Sequence, residues 1–171
     1  MKFFALILAF LLAAAPARAS DADDIARIVS DLAQKSITPD TLTAGFAPLV
    51  QFVRRDTKDM LLFTDGKLVD GHVRHAQAQF DGKVGSRTTG DRTPVFSIAL
   101  ELGDEPDFTF DGLAAGFSRR LGTPGATSNR AGATYRVWYL KQPKGRTLTV
   151  ARGQASDNGE PVTIIQLLQE R

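Results

Sequence analysis

Residues 94–102 read Pro94-Val95-Phe96-Ser97-Ile98-Ala99-Leu100-Glu101-Leu102, and this stretch decides the fold class. Side chains alternate along an extended chain, so Phe96, Ile98, Leu100 and Leu102 share one side while Ser97 and Glu101 take the other. Such alternation marks an antiparallel sheet with one face on a core and one toward water. The last strand follows the same design: Pro161-Val162, Ile165 and Leu167 repeat Pro94-Val95, Ile98 and Leu100 at an offset of 67.

Upstream, Asp59 to Thr64 and Leu68 to Phe80 read as strands joined by Asp65-Gly66, a preferred hairpin turn, and Asp81-Gly82 reads as a second turn. A polar stretch, 83–92, leads back to the alternating strand. Downstream, Phe110, Leu113, Phe117 and Leu121 form one stripe of a helix over about 109–121, stopped by Gly122 and Pro124. Strands at 134–140, 146–152 and 162–169 finish the chain.

Two helices precede the first strands. Ser20 or Asp21 caps the first, Asp23 and Asp24 suit its N-terminal dipole, and Ile25, Ile28, Val29 and Leu32 make its apolar stripe. Lys35 is expected in its last turn. Thr38-Pro39-Asp40 starts a short second helix, with Pro at the first helical position and Gly45 and Pro48 ending it. The expected class is α+β: an antiparallel sheet with helices packed on one face, in a tandem α-β-β-β repeat over 38–104 and 108–171. Leu42-Thr43-Ala44-Gly45-Phe46 against Leu113-Ala114-Ala115-Gly116-Phe117, at an offset of 71, supports the repeat.

The N-terminus has the three parts of an export signal: Lys2, the apolar run Phe3 to Ala15, and Ala17-Arg18-Ala19 before the cut. That run is 13 residues long, short of the ~20 a spanning helix needs. The expected organisation is a signal peptide over 1–19 and one domain over 20–171, periplasmic or secreted, with no membrane span. Of 21 Lys and Arg, Lys2 and Arg18 leave with the signal, so 19 basic residues face 19 acidic ones. A balanced, scattered charge argues against nucleic acid as partner. The chain has no cysteine, which excludes disulfides, thiol catalysis, Cys-based zinc sites and a lipid anchor on Cys.

Two histidines, His72 and His75, stand three apart and so point to opposite faces of a strand, which argues against a shared metal. Serine-hydrolase and phosphate-loop signatures are missing, and Asp104, Glu105 and Asp107 read as solvated loop charges. No catalytic residue, metal ligand or cofactor is assigned. The aromatic strand is more informative. Tyr135, Val137 and Tyr139 share one face while Arg136, Trp138 and Leu140 share the other, so bulky side chains must lie on the side away from the helices. Trp, Tyr and Arg are enriched at binding hot spots. The expected partner-binding set is Trp138, Arg136, Tyr135 and Tyr139 with Gln77 and Gln79 on the open sheet face.

Leu121-Gly122-Thr123-Pro124 closing a helix, then Tyr135-Arg136-Val137-Trp138-Tyr139, Leu148-Thr149-Val150 and Val162-Thr163-Ile164, resembles the repeat of the β-lactamase-inhibitor-protein-like fold. That fold is shared with small envelope proteins of the SmpA/OmlA type, which help assemble outer-membrane β-barrels. The likeness covers 108–171 directly and 38–104 through the repeat. It implies a non-catalytic envelope or secreted protein that binds another protein, as inhibitor or assembly accessory. The alternatives are a secreted hydrolase with an unfamiliar site and a carrier of a small molecule.

Overall fold

The computed structural model describes residues 21–57, 60–81, 96–103, 108–130, 133–154 and 159–169. Their element order is α1 (Ala22–Ala33), α2 (Pro39–Phe46), β1 (Val50–Asp56), β2 (Met60–Leu68), β3 (Val73–Asp81), β4 (Phe96–Gly103), α3 (Phe110–Leu121), β5 (Ala126–Arg130), β6 (Ala133–Leu140), β7 (Arg146–Gln154) and β8 (Pro161–Gln169). All eight strands join one antiparallel sheet in the order β1-β2-β3-β4-β8-β7-β6-β5. The α+β class with helices on one sheet face is what the alternation of 96–102 required.

Helix starts follow local chemistry. The Asp21 carboxylate accepts from the Asp24 N–H at 2.8 Å. Thr38 and Thr41 satisfy each other's backbone N–H in a capping box ahead of α2, and the Thr109 hydroxyl caps α3. Gly122, at φ 84°, ends α3 in a conformation that only glycine adopts without strain. α1 stops at Ala33, so Lys35 lies beyond its last turn and not within it.

Ile25, Val29 and Leu32 of α1 and Leu113 and Phe117 of α3 are buried against the sheet residues Phe96, Ile98, Leu100, Leu102, Leu148, Val150, Ile165 and Leu167. α1 and α3 approach closely because Gly116 lacks a side chain: a Cβ there would meet the Cβ of Ala26 at 2.8 Å. Edge-to-face and tilted rings run across the first half in the sequence Phe46, Phe52, Phe63, Phe80, Phe96, with neighbouring centroids 5.8–6.3 Å apart. The buried Arg146 guanidinium covers the last ring at 5.0 Å.

Two further expectations need correction. Four strands follow α2 and four follow α3, not three each as the expected α-β-β-β units had it, because β1 and β5 went unrecognised; both are edge strands of the sheet. Asp65-Gly66 is not a hairpin turn but lies inside β2. There Gln51 pairs with Lys67 and Phe52 with Asp65, which leaves Gly66 as the extra residue of a bulge. The chain instead turns between β2 and β3 at 69–72, where the Val69 and Asp70 amides both donate to the Leu49 carbonyl. The supposed turn at Asp81-Gly82 and the polar stretch 83–92 reach outside the described residues, as do Pro94-Val95 of the repeat match.

Candidate functional site

The strand registers define the face opposite the helices. Residues that alternate with the buried ones fall into three cross-strand rows. The central row runs Val53, Thr64, Gln77, Ala99, Gln166, Thr149, Val137, Ala126. A flanking row runs Arg55, Leu62, Gln79, Ser97, Leu168, Thr147, Tyr139, and the other runs His75, Glu101, Ile164, Ala151, Tyr135, Ser128. Amides, hydroxyls, two tyrosines and short aliphatic groups make up this surface. Its central row carries no charged side chain; charge lies on the flanks, at Arg55 and Glu101, at Asp65 beside His75, at Arg74 against Gly103 and at Lys67 opposite Gln51. The helical layer carries exposed charge at Asp24, Arg27, Asp31 and Arg119.

The expected binding residues divide between the two faces. Tyr139 is 63% exposed, Gln77 and Gln79 are exposed and Tyr135 is half-buried, all on the open face. The Gln79 side-chain amide donates to Met60 Sδ at 2.7 Å. Trp138 and Arg136 are not on that face. Trp138 is 2% exposed; its ring packs on Phe117 at 5.7 Å, and Nε1 donates to the Gly122 carbonyl at 2.8 Å. Arg136 reaches α3, where it donates to Asp111 Oδ1 at 2.9 Å and lies 5.4 Å from the Phe110 ring centroid. Both side chains anchor α3 to β6. The aromatic strand is bulky on both sides, so its phase was ambiguous until the position of α3 decided it. Gln166, Thr147 and Thr149 were missed for the same reason: only the sheet order places them beside Gln77 and Tyr139.

The histidines occupy different environments. His72 lies just before β3, is buried and stacks on Phe108 with centroids 4.3 Å apart, while its backbone N–H donates to the Asp70 carboxylate at 2.9 Å. His75 is exposed, and its Nδ1 stands 2.8 Å from Asp65 Oδ1. Among the described residues, no group of three or more His, Cys, Asp and Glu side chains is placed to hold a metal ion. Among the same residues, no helix is long and apolar enough to cross a membrane.

Arg146 is the most buried cation of the described residues, at 1% exposure. It donates to the carbonyls of Ala33 and Lys35 at 2.7 and 2.6 Å and to Gln169 Oε1 at 3.0 Å. Burial pushes its pKa down to about 10, which leaves it charged at neutral pH. The negative end of the α1 dipole meets that charge, so Arg146 has a sufficient structural role.

Comparison with family models, with curated proteins and with solved structures finds no match for this chain.

Proposed function

We propose that this is an exported binding protein without chemistry of its own, and that its partner, a protein of the cell envelope or the secreted fraction, docks on the open sheet face. One observation carries the reading: a sheet of eight strands keeps the central row of one face, from Val53 to Ala126, free of charged side chains while presenting Tyr139, Tyr135, Gln77, Gln79 and Gln166 on and beside it. A face that only meets water has no need to exclude charge, since Lys and Glu solubilise a sheet well. Tyrosine and amide side chains give rigid contact area and adaptable hydrogen bonds at a modest cost in entropy. The three-part N-terminal signal supplies the compartment, and the likeness to envelope proteins of the inhibitor and assembly type agrees with this reading.

Photo-crosslinking in intact cells tests it. A reactive side chain placed at Tyr139 or Gln77 is expected to capture protein, whereas one at Asp31, on the exposed side of α1, is not. No product at either open-face position, or equal product at Asp31, overturns the reading.

A further inference from the structure

We infer that one partner of the open face is a second copy of this chain, the two sheets stacking face to face about a two-fold axis. This rests on the binding reading above. The first argument is chemical self-complementarity. A face of lysines or of carboxylates cannot meet its own copy, because like charges come together and every polar group is of one kind. The central row here offers Gln77, Gln166, Thr64 and Thr149, and the flanking rows offer Ser97, Thr147, Ser128 and two phenols. Amides and hydroxyls donate and accept at once, so a surface built from them can satisfy an identical surface in more than one register. The charges that remain lie on the flanks and are of both signs: Glu101 and Asp65 on one hand, and Arg74 beside Gly103, Lys67 opposite Gln51 and Arg55 on the edge strand on the other.

The second argument is size. Eight strands spaced ~4.8 Å apart and three rows ~7 Å apart cover on the order of 700 Å². A standard protein interface buries about 800 Å² on each partner. Pairing through an edge strand offers far less: β5 has five residues, and β1 lies against the bulge of β2 and carries the Arg54–Asp56 ion pair at 2.7 Å. Two twisted sheets stack well when their strands cross at about 30°, with side chains from both inner faces interleaved. Val53, Ile164, Leu168, Leu62 and Val137 are among the apolar groups such stacking would cover.

Sedimentation equilibrium on the exported, processed protein, together with its variants Gln166→Lys and Asp31→Lys, tests the inference. Gln166 lies in the middle of the central row, where Lys would bring two ammonium groups into the interface; Asp31 lies on the helical side. The expected result is a dimer at about 10 μM that Gln166→Lys weakens about tenfold or more and Asp31→Lys leaves unchanged. A protein that stays monomeric up to about 1 mM, or equal loss in both variants, overturns it. The crosslinking experiment above separates the two proposals by the mass of its product. Capture of a different protein by a monomeric chain removes the second copy and keeps the binding reading, while absence of any open-face product removes both.

Discussion

The indole Nε1 of Trp138 donates to the carbonyl oxygen of Gly122 at 2.8 Å, joining the middle of β6 to the last residue of the α3 cap. Gly122 thus has its carbonyl satisfied in the positive-φ conformation that ends the helix. Trp138→Ala removes a buried ring and the donor together, and is expected to destabilise the fold by about 3–5 kcal/mol. Trp138→Phe keeps most of the packing against Phe117 and loses the hydrogen bond, with an expected loss of about 1–2 kcal/mol. Urea unfolding followed by circular dichroism measures both. Equal stability of Trp138→Phe and wild type would show that water replaces the indole at Gly122.

Arg146 ties the end of α1 to β7 and β8. Removing its side chain strands the carbonyls of Ala33 and Lys35 near the sheet and takes away the hydrogen bond from Nε to Gln169 Oε1. Arg146→Ala is expected to destabilise by about 3–5 kcal/mol, the range for deleting one partner of a buried charged network. Arg146→Lys should recover little, because an ammonium group cannot reach three acceptors set out for a planar fork. Amide hydrogen exchange localises the effect: the last turn of α1 should lose protection before the β4–β8 centre does.

Asp23 accepts from Arg119 at 2.7 Å and from Arg120 at 3.0 Å, which links the start of α1 to the end of α3. The Arg119 hydrogen bond, assisted by Arg120, holds its carboxyl below the ordinary value of 3.8. The unfolded chain therefore binds more protons than the native one as pH falls through that range. The contribution is complete above the ordinary value and is lost as pH drops through the lowered one. Wild type and Asp23→Asn should differ by a constant urea midpoint from about pH 7 to 5 and converge only as pH falls below 3.8 and through the lowered native value. The side chains are largely exposed, so added salt should shrink the difference.

What the sequence disclosed follows the depth of each strand in the sheet. β4, β7 and β8 are central or next to central, and their alternation of large apolar and small or polar residues was legible directly. β1 and β5 are edges. In β1 only Val50 is buried and Phe52 half-buried, and β5 is Ala-Thr-Ser-Asn-Arg, so neither has an apolar period to read. Among the candidate site residues, Gln77 and Gln79 alternate with the small apolar Ala76 and Ala78, which are buried, so their place on the open face was legible. Trp138 and Arg136 were assigned to the wrong side, since residue size marks neither face of 135–139. Only a tertiary neighbour, α3, breaks that tie.

Gly66 carries the clearest backbone prediction. A Cβ at this bulge position would run into the Cγ2 of Val53 and come within 3.1 Å of the Gln51 carbonyl oxygen. The side chain of Val53 can rotate, but the carbonyl belongs to the β1 ladder and cannot. Gly66→Ala is therefore expected to cost about 1–3 kcal/mol and to loosen the β1–β2 pairing ahead of the rest of the sheet. Exchange of β1 amides in the variant measures this. Unchanged protection would mean that the bulge relaxes without strain.

Tyr139 separates folding from binding. Its ring is 63% exposed and rests over Gly125, where a Cβ would meet the ring at 2.6 Å. Little apolar surface leaves water when Tyr139 folds into place, so Tyr139→Ala is expected to change stability by less than about 1 kcal/mol. The same side chain stands at the far end of the row from Arg55, beside Thr147, where an exposed aromatic anchors a partner. Trp138→Ala and Tyr139→Ala are adjacent in sequence and opposite in expectation: the first lowers the unfolding midpoint, and the second leaves the midpoint in place while weakening association through the open face. Measuring both variants by urea unfolding and by sedimentation decides the matter. A Tyr139→Ala protein that is as stable as wild type and associates as strongly would show that this ring has no part in docking.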